Sequence, residues 1–104
     1  MNETNKYHIP PKLDGADSEW QGLIGEQIDI KVYIDHICVF EEPWGTKFMH
    51  IMHDKDGNSY KWFSERKLKE TWEYHIKAIV KDHIDYYGIH QTVITRCRII
   101  RGEN

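Results

Sequence analysis

From residue 26 onward the chain alternates apolar and polar side chains with a period of two. Ile28, Ile30, Val32 and Ile34 are separated by Asp29, Lys31, Tyr33 and Asp35. Successive side chains of an extended strand point to opposite faces, so this pattern predicts a strand with one face buried. The phase slips near His36, where Ile37 and Val39 carry the apolar set onward. A one-residue slip in a long strand predicts a β-bulge, and a bulged, bent strand can serve two parts of a curved sheet. Four further strands are expected at 46–53, 59–64, 74–83 and 91–101. In the third, Tyr60 and Trp62 share one face and Lys61 and Phe63 the other. In the fourth, Ile76, Ala78 and Val80 face inward against His75, Lys77 and Lys81. In the fifth, Val93, Thr95, Cys97 and Ile99 form one phase against Thr92, Ile94, Arg96 and Arg98.

The connections carry turn chemistry. Glu41-Glu42-Pro43-Trp44-Gly45 is a turn, Asp54-Lys55-Asp56-Gly57-Asn58 a hairpin turn built on Asp-Gly, and Tyr86-Tyr87-Gly88 the tip of the last hairpin. Segment 64–70 predicts one or two helical turns with Ser64 as N-cap, and Leu68 and Trp72, four apart, on one side. Residues 102–104 are expected to fray. Together these elements predict an all-β fold: a five-stranded Greek-key barrel of the OB type with a short helical link between strands 3 and 4. A β-sandwich needs more strands, and an SH3-like barrel, the main rival, usually has shorter strands than residues 26–40 suggest. The polar residues 1–19, with Pro10-Pro11, read as a flexible arm or docking peptide, and residues 20–104 as the domain. Trp20, beside Gly22 and Gly25, is expected to fold back on the barrel end or mark a contact surface.

At 104 residues, 30% charged and 39% hydrophobic, the chain has the composition of one soluble globular domain. No apolar run approaches the ~20 residues that cross a bilayer, and no secretory signal follows Met1, so no membrane partner is expected. Cys38 and Cys97 lack Cys-x-x-Cys spacing and read as free thiols in a reducing cytoplasm. The net charge of −3 is unevenly placed. Residues 1–60 hold five Lys/Arg against eleven Asp/Glu, and residues 61–104 nine against six, so the halves carry −6 and +3. The C-terminal half can present a positive face, which suits nucleic acid or a protein of mixed charge.

Candidate chemistry points to binding. Trp44 lies in the loop after strand one, and Tyr86 and Tyr87 in the loop after strand four, the loops such barrels use for ligands; Tyr60 lies on strand three. These four aromatics are the candidates for stacking bases. Lys77, Lys81, Arg96 and Arg98 fall on the outward phase of strands four and five and are the candidates for holding phosphates. No Gly-x-Ser-x-Gly, phosphate-cradling glycine loop or His-Glu-x-x-His occurs, so no catalytic residues and no enzyme activity are expected. Seven histidines do not converge by spacing, and Asp54, Asp56 and Asn58 lack the glycine a calcium loop needs at Ser59. Neither a metal nor another cofactor is expected.

Trp44-Gly45, Asp56-Gly57-Asn58, Lys61-Trp62-Phe63, Val80-Lys81-Asp82-His83, Tyr86, Gly88 and Gln91-Thr92 through Arg96-Cys97 resemble small OB-fold proteins of phage and mobile-element replication modules. The resemblance covers roughly residues 20–101. It extends to the short proteins encoded beside a family-A polymerase in staphylococcal cassette elements. What it implies is a replication accessory protein that binds single-stranded DNA, a DNA polymerase, primase or helicase, or both. The alternative is a protein–protein adaptor with no nucleic-acid binding of its own. The acidic N-terminal half departs from a free-standing single-strand binder.

Overall fold

The computed structural model describes Ile9 and residues 17–104. Five strands follow in chain order: β1 (Gln27–Glu42), β2 (Gly45–His53), β3 (Ser59–Ser64), β4 (Glu73–Tyr86) and β5 (Ile89–Glu103). They form one closed sheet in the order β1-β2-β3-β5-β4. Closure depends on the long first strand, which pairs with β4 over Gln27 to Tyr33 and with β2 over Tyr33 to Glu42. The register slips between Ile34 and His36, at the expected bulge. All neighbours are antiparallel except β3 and β5, which run parallel over Ser59 to Trp62 and Gln91 to Ile94. The expected arm, residues 1–19, lies largely outside the described residues.

The interior is filled from every strand. Val32, Ile34, Ile37, Met52, Tyr60, Trp62, Tyr74, Ile76, Ala78 and Ile94 make a single buried cluster. In the last strand Ile94 is buried and Arg96 and Arg98 are exposed, although all three share one phase of the simple alternation. The cause is a bulge. Ile79 faces Thr95 and Lys77 faces Arg98, so Arg96 and Cys97 together stand against Ala78 alone. Arg96 takes the left-handed backbone conformation (φ 51°) at this point. Thr92 and Ile94 therefore face inward before it, and Cys97 and Ile99 pack on the core after it.

Among the described residues there is no helix, and the expected helical link is absent. Residues 65–72 form turns and irregular chain because most of their hydrogen bonds go to the barrel, with Trp72 N donating to Lys69 O (3.3 Å) inside the segment. Leu68 N donates to His50 Nε2 (3.1 Å), and Lys69 N donates to the Tyr74 hydroxyl (3.0 Å). Glu70 accepts from Ile37 N (2.8 Å), and the backbones of Thr71 and Trp72 exchange hydrogen bonds with Ile34. Ser64 Oγ accepts from Arg66 N two residues on, a local turn with no helix behind it. Leu68 and Trp72 still reach the core.

Gly102 and Glu103, expected to fray, continue β5, and Asn104 lies beyond it. Gly102 pairs with Tyr74, and a Cβ on Gly102 would lie 2.5 Å from that buried ring. The ring is fixed at its far end by Lys69 N. Gly102→Ala is therefore expected to destabilise the fold by roughly 1–3 kcal/mol through overpacking. Thermal unfolding of the purified variant measures this directly, as a clear drop in midpoint relative to the parent.

Candidate nucleic-acid interface

The β4–β5 connection is a two-residue turn. Tyr86 pairs with Ile89, and Tyr87 and Gly88 between them both have positive φ (50° and 86°). This is the backbone that matches the twist of a tight hairpin, and glycine adopts it without strain where tyrosine does not. Gly88 N is held by Asp85 Oδ1 (2.8 Å). The turn leaves both tyrosines outside, with Tyr87 89% exposed, and their rings meet edge to face at 4.6 Å.

Tyr86 leans toward the outer face of β3. Because Tyr60 and Trp62 point inward, Lys61 and Phe63 point out, and the Lys61 ammonium lies 5.1 Å from the Tyr86 ring centroid. In the ladder Lys61 faces Ile51 and Phe63 faces Met49, so the outer faces of β2 and β3 are continuous. Phe40 of β1 adds a ring 6.4 Å from Phe63. Phe40, Phe63 and Tyr86 are each about half exposed (42%, 49% and 51%). Phe40 and Phe63 are additions to the sequence-derived set. Their signal was the alternation itself: Phe63 takes the phase opposite Trp62, and Phe40 falls on the outward phase once the bulge at residue 35 is counted.

Trp44 stands in the β1–β2 turn and is 77% exposed. Glu41 and Glu42 precede it, so that end repels a phosphate backbone while the Lys61 end attracts one. Tyr60 requires a correction. It is 1% exposed, and its hydroxyl donates to Asp54 Oδ2 (2.9 Å), so its ring is not available for stacking. Burial, with Asp54 and Asp56 nearby, pushes its phenol well above the usual value. Asp54 also accepts from Asp56 N and Asn58 N, which makes the 54–58 segment an ordinary side-chain-closed hairpin turn.

Three of the four expected phosphate holders come together. Lys77, Arg96 and Arg98 line one shallow cleft with Gln27, Ala78 and Ile79. Lys81 does not join them, because it is the unpaired residue of a second bulge, between Val80 and Asp82.

Trp20 folds back, as its setting among glycines suggested. Its indole stacks on His90 (3.9 Å between centroids) and His83 (5.3 Å), and its Nε1 donates to Ile84 O (2.8 Å). Ser18 Oγ accepts from Ser59 N and donates to His90 O, and Glu19 N donates to Asn58 Oδ1. The segment entering β1 is thus fastened across β3 and the β4–β5 hairpin. His83 and His90 serve as a platform for this tryptophan.

Among the described residues no group of three or more His, Cys, Asp or Glu side chains is placed to hold a metal ion. Cys38 and Cys97 are unpaired, and burial pushes the Cys97 thiol up to about 12. Such a thiol stays protonated and is a poor nucleophile or ligand. No described helix is long and apolar enough to cross a membrane. No protein-family model, curated protein or solved structure matches the chain.

Proposed function

We propose that this chain is an OB-fold module that binds single-stranded DNA as an accessory subunit of a phage or mobile-element replication assembly. In this reading it works beside a DNA polymerase, primase or helicase in the cytoplasm and catalyses nothing itself. The strand order with β3 parallel to β5 supports the fold assignment, since a five-stranded Greek-key barrel of this kind presents strands 2 and 3 and their flanking loops to oligonucleotides. The observation that carries the functional reading is the outer face of β2 and β3. There Phe63 lies beside the Phe40 ring of β1, and Lys61 lies under the Tyr86 ring of β4, the combination of stacking surface and cation that single strands need. The replication setting follows from the sequence resemblance. Two unpaired thiols suit a reducing compartment.

Fluorescence anisotropy with a labelled single-stranded oligonucleotide tests this. The expected result is binding that weakens as salt rises, because phosphate contacts release counterions. Absence of binding at low salt would overturn it. A second reading, a protein adaptor, is favoured by Leu23 and Ile24, consecutive apolar residues that are 74% and 60% exposed in the turn before β1. Co-purification of a stable protein partner whose binding is lost in Leu23→Ser with Ile24→Ser, without any affinity for DNA, would select it.

A further inference from the structure

The cleft on β4 and β5 holds more positive charge than its own protein neutralises. Lys77 and Arg98 stand directly opposite each other in the ladder, an arrangement that like charges disfavour. Arg96 joins them because the bulge holds it at φ 51°, a conformation a non-glycine residue adopts only at a cost. Asp29, which faces Lys77 from β1, is bonded to His75 Nε2 instead (2.5 Å). Among the described residues no carboxylate lies within ion-pair distance of Lys77, Arg96 or Arg98. The cleft between them has a volume of about 320 Å³, with Gln27 supplying an uncharged amide at its edge.

Three unpaired cations converging on one cleft fit an anion with several charges on neighbouring oxygens. A phosphodiester in a chain carries one charge. A terminal phosphate carries nearly two, and a triphosphate more. We propose that Lys77, Arg96 and Arg98 form a site for a terminal polyphosphate: the 5′ end of a nucleic-acid strand or the triphosphate of a free nucleotide. This rests on the nucleic-acid reading of the protein and gives the basic cleft a role different from that of the aromatic face. Guanidinium groups bind phosphate oxygens two at a time, which suits Arg96 and Arg98 to a compact terminal group.

The test compares one oligonucleotide with a 5′-hydroxyl, a 5′-monophosphate and a 5′-triphosphate, with inorganic tripolyphosphate and ATP as competitors. The parent protein is expected to bind the triphosphate end at least about tenfold more tightly than the hydroxyl end, the size of one charge-assisted contact. Arg96→Gly with Arg98→Gln should abolish the preference, so that the variant binds the triphosphate end no more tightly than the hydroxyl end. Glycine suits the left-handed position, so this variant keeps the bulge, and circular dichroism verifies its fold. Competition by ATP and tripolyphosphate at equal concentrations supports recognition of the phosphate chain alone, and stronger competition by ATP adds the nucleoside to the site. Equal affinity for the three ends, or a preference that survives in the double variant, overturns the proposal. If tripolyphosphate binds the parent but the hydroxyl oligonucleotide does not, the single-strand reading falls and the polyphosphate site stands. If the hydroxyl oligonucleotide binds and the end group is irrelevant, the reverse holds.

Discussion

His50→Ala is expected to destabilise the fold by about 3–5 kcal/mol, combining a cavity with two abandoned polar groups. His50 is fully buried, and both its ring nitrogens are used. Nδ1 bonds to Trp62 O (3.2 Å) and Nε2 accepts from Leu68 N (3.1 Å), so one neutral tautomer ties β3 to the 65–72 link. The ring also stacks on Trp62 at 4.9 Å. Burial lowers its pKa below 6.5, with the bond to Trp62 opposing in part. The folded state therefore resists a proton that the unfolded chain accepts. The stability from neutral His50 is fully present above pH 6.5 and is lost as pH falls from there toward the lowered folded value. His50→Gln keeps a donor and an acceptor and should cost less. Comparing denaturant midpoints of parent and His50→Gln between pH 7.5 and pH 5 isolates this histidine from the other six. The parent should lose more stability than the variant over that interval, and parallel curves would refute the assignment.

The strands were legible because each is a local pattern. Alternation located β3 at its observed limits, and the phase slip at His36 located the bulge that lets β1 close the barrel. The 65–72 link was not legible, since the partners of its backbone lie on His50, Ile34, Ile37 and Tyr74, beyond the reach of local propensity. The bulge at Arg96 carried no glycine to announce it, and without it Ile94 reads as outward. Tyr60 is a different kind of miss. It shares the inward phase of Trp62, and its hydroxyl reaches Asp54 at the barrel end, so a strand aromatic with a polar tip is satisfied without facing a ligand. The basic cleft was half legible. Lys77 and Arg98 followed from simple pairing, whereas Lys81 was displaced by a bulge that no residue type marks.

Replacing Phe40, Phe63 and Tyr86 with alanine should remove most of the affinity for single-stranded DNA. Each stacked base is worth roughly 1–3 kcal/mol, so even one lost stack weakens binding by about tenfold. The three rings are half exposed and lie outside the buried cluster, so unfolding midpoints should stay close to those of the parent. Two controls separate stacking from general damage. Trp44→Ala removes a more exposed ring but one beside Glu41 and Glu42, and it should weaken binding less than Phe63→Ala. Tyr60→Phe deletes the hydroxyl bonded to Asp54 and should cost about 1 kcal/mol of stability while leaving DNA affinity unchanged. Titrations of all five proteins against one oligonucleotide at a fixed low salt concentration give the comparison. If the triple variant binds as the parent does, the outer face of β2 and β3 is not the path of the strand. If the triple variant instead loses a protein partner while DNA affinity is unchanged, the same rings serve the adaptor role, because exposed aromatic side chains also suit a protein hot spot.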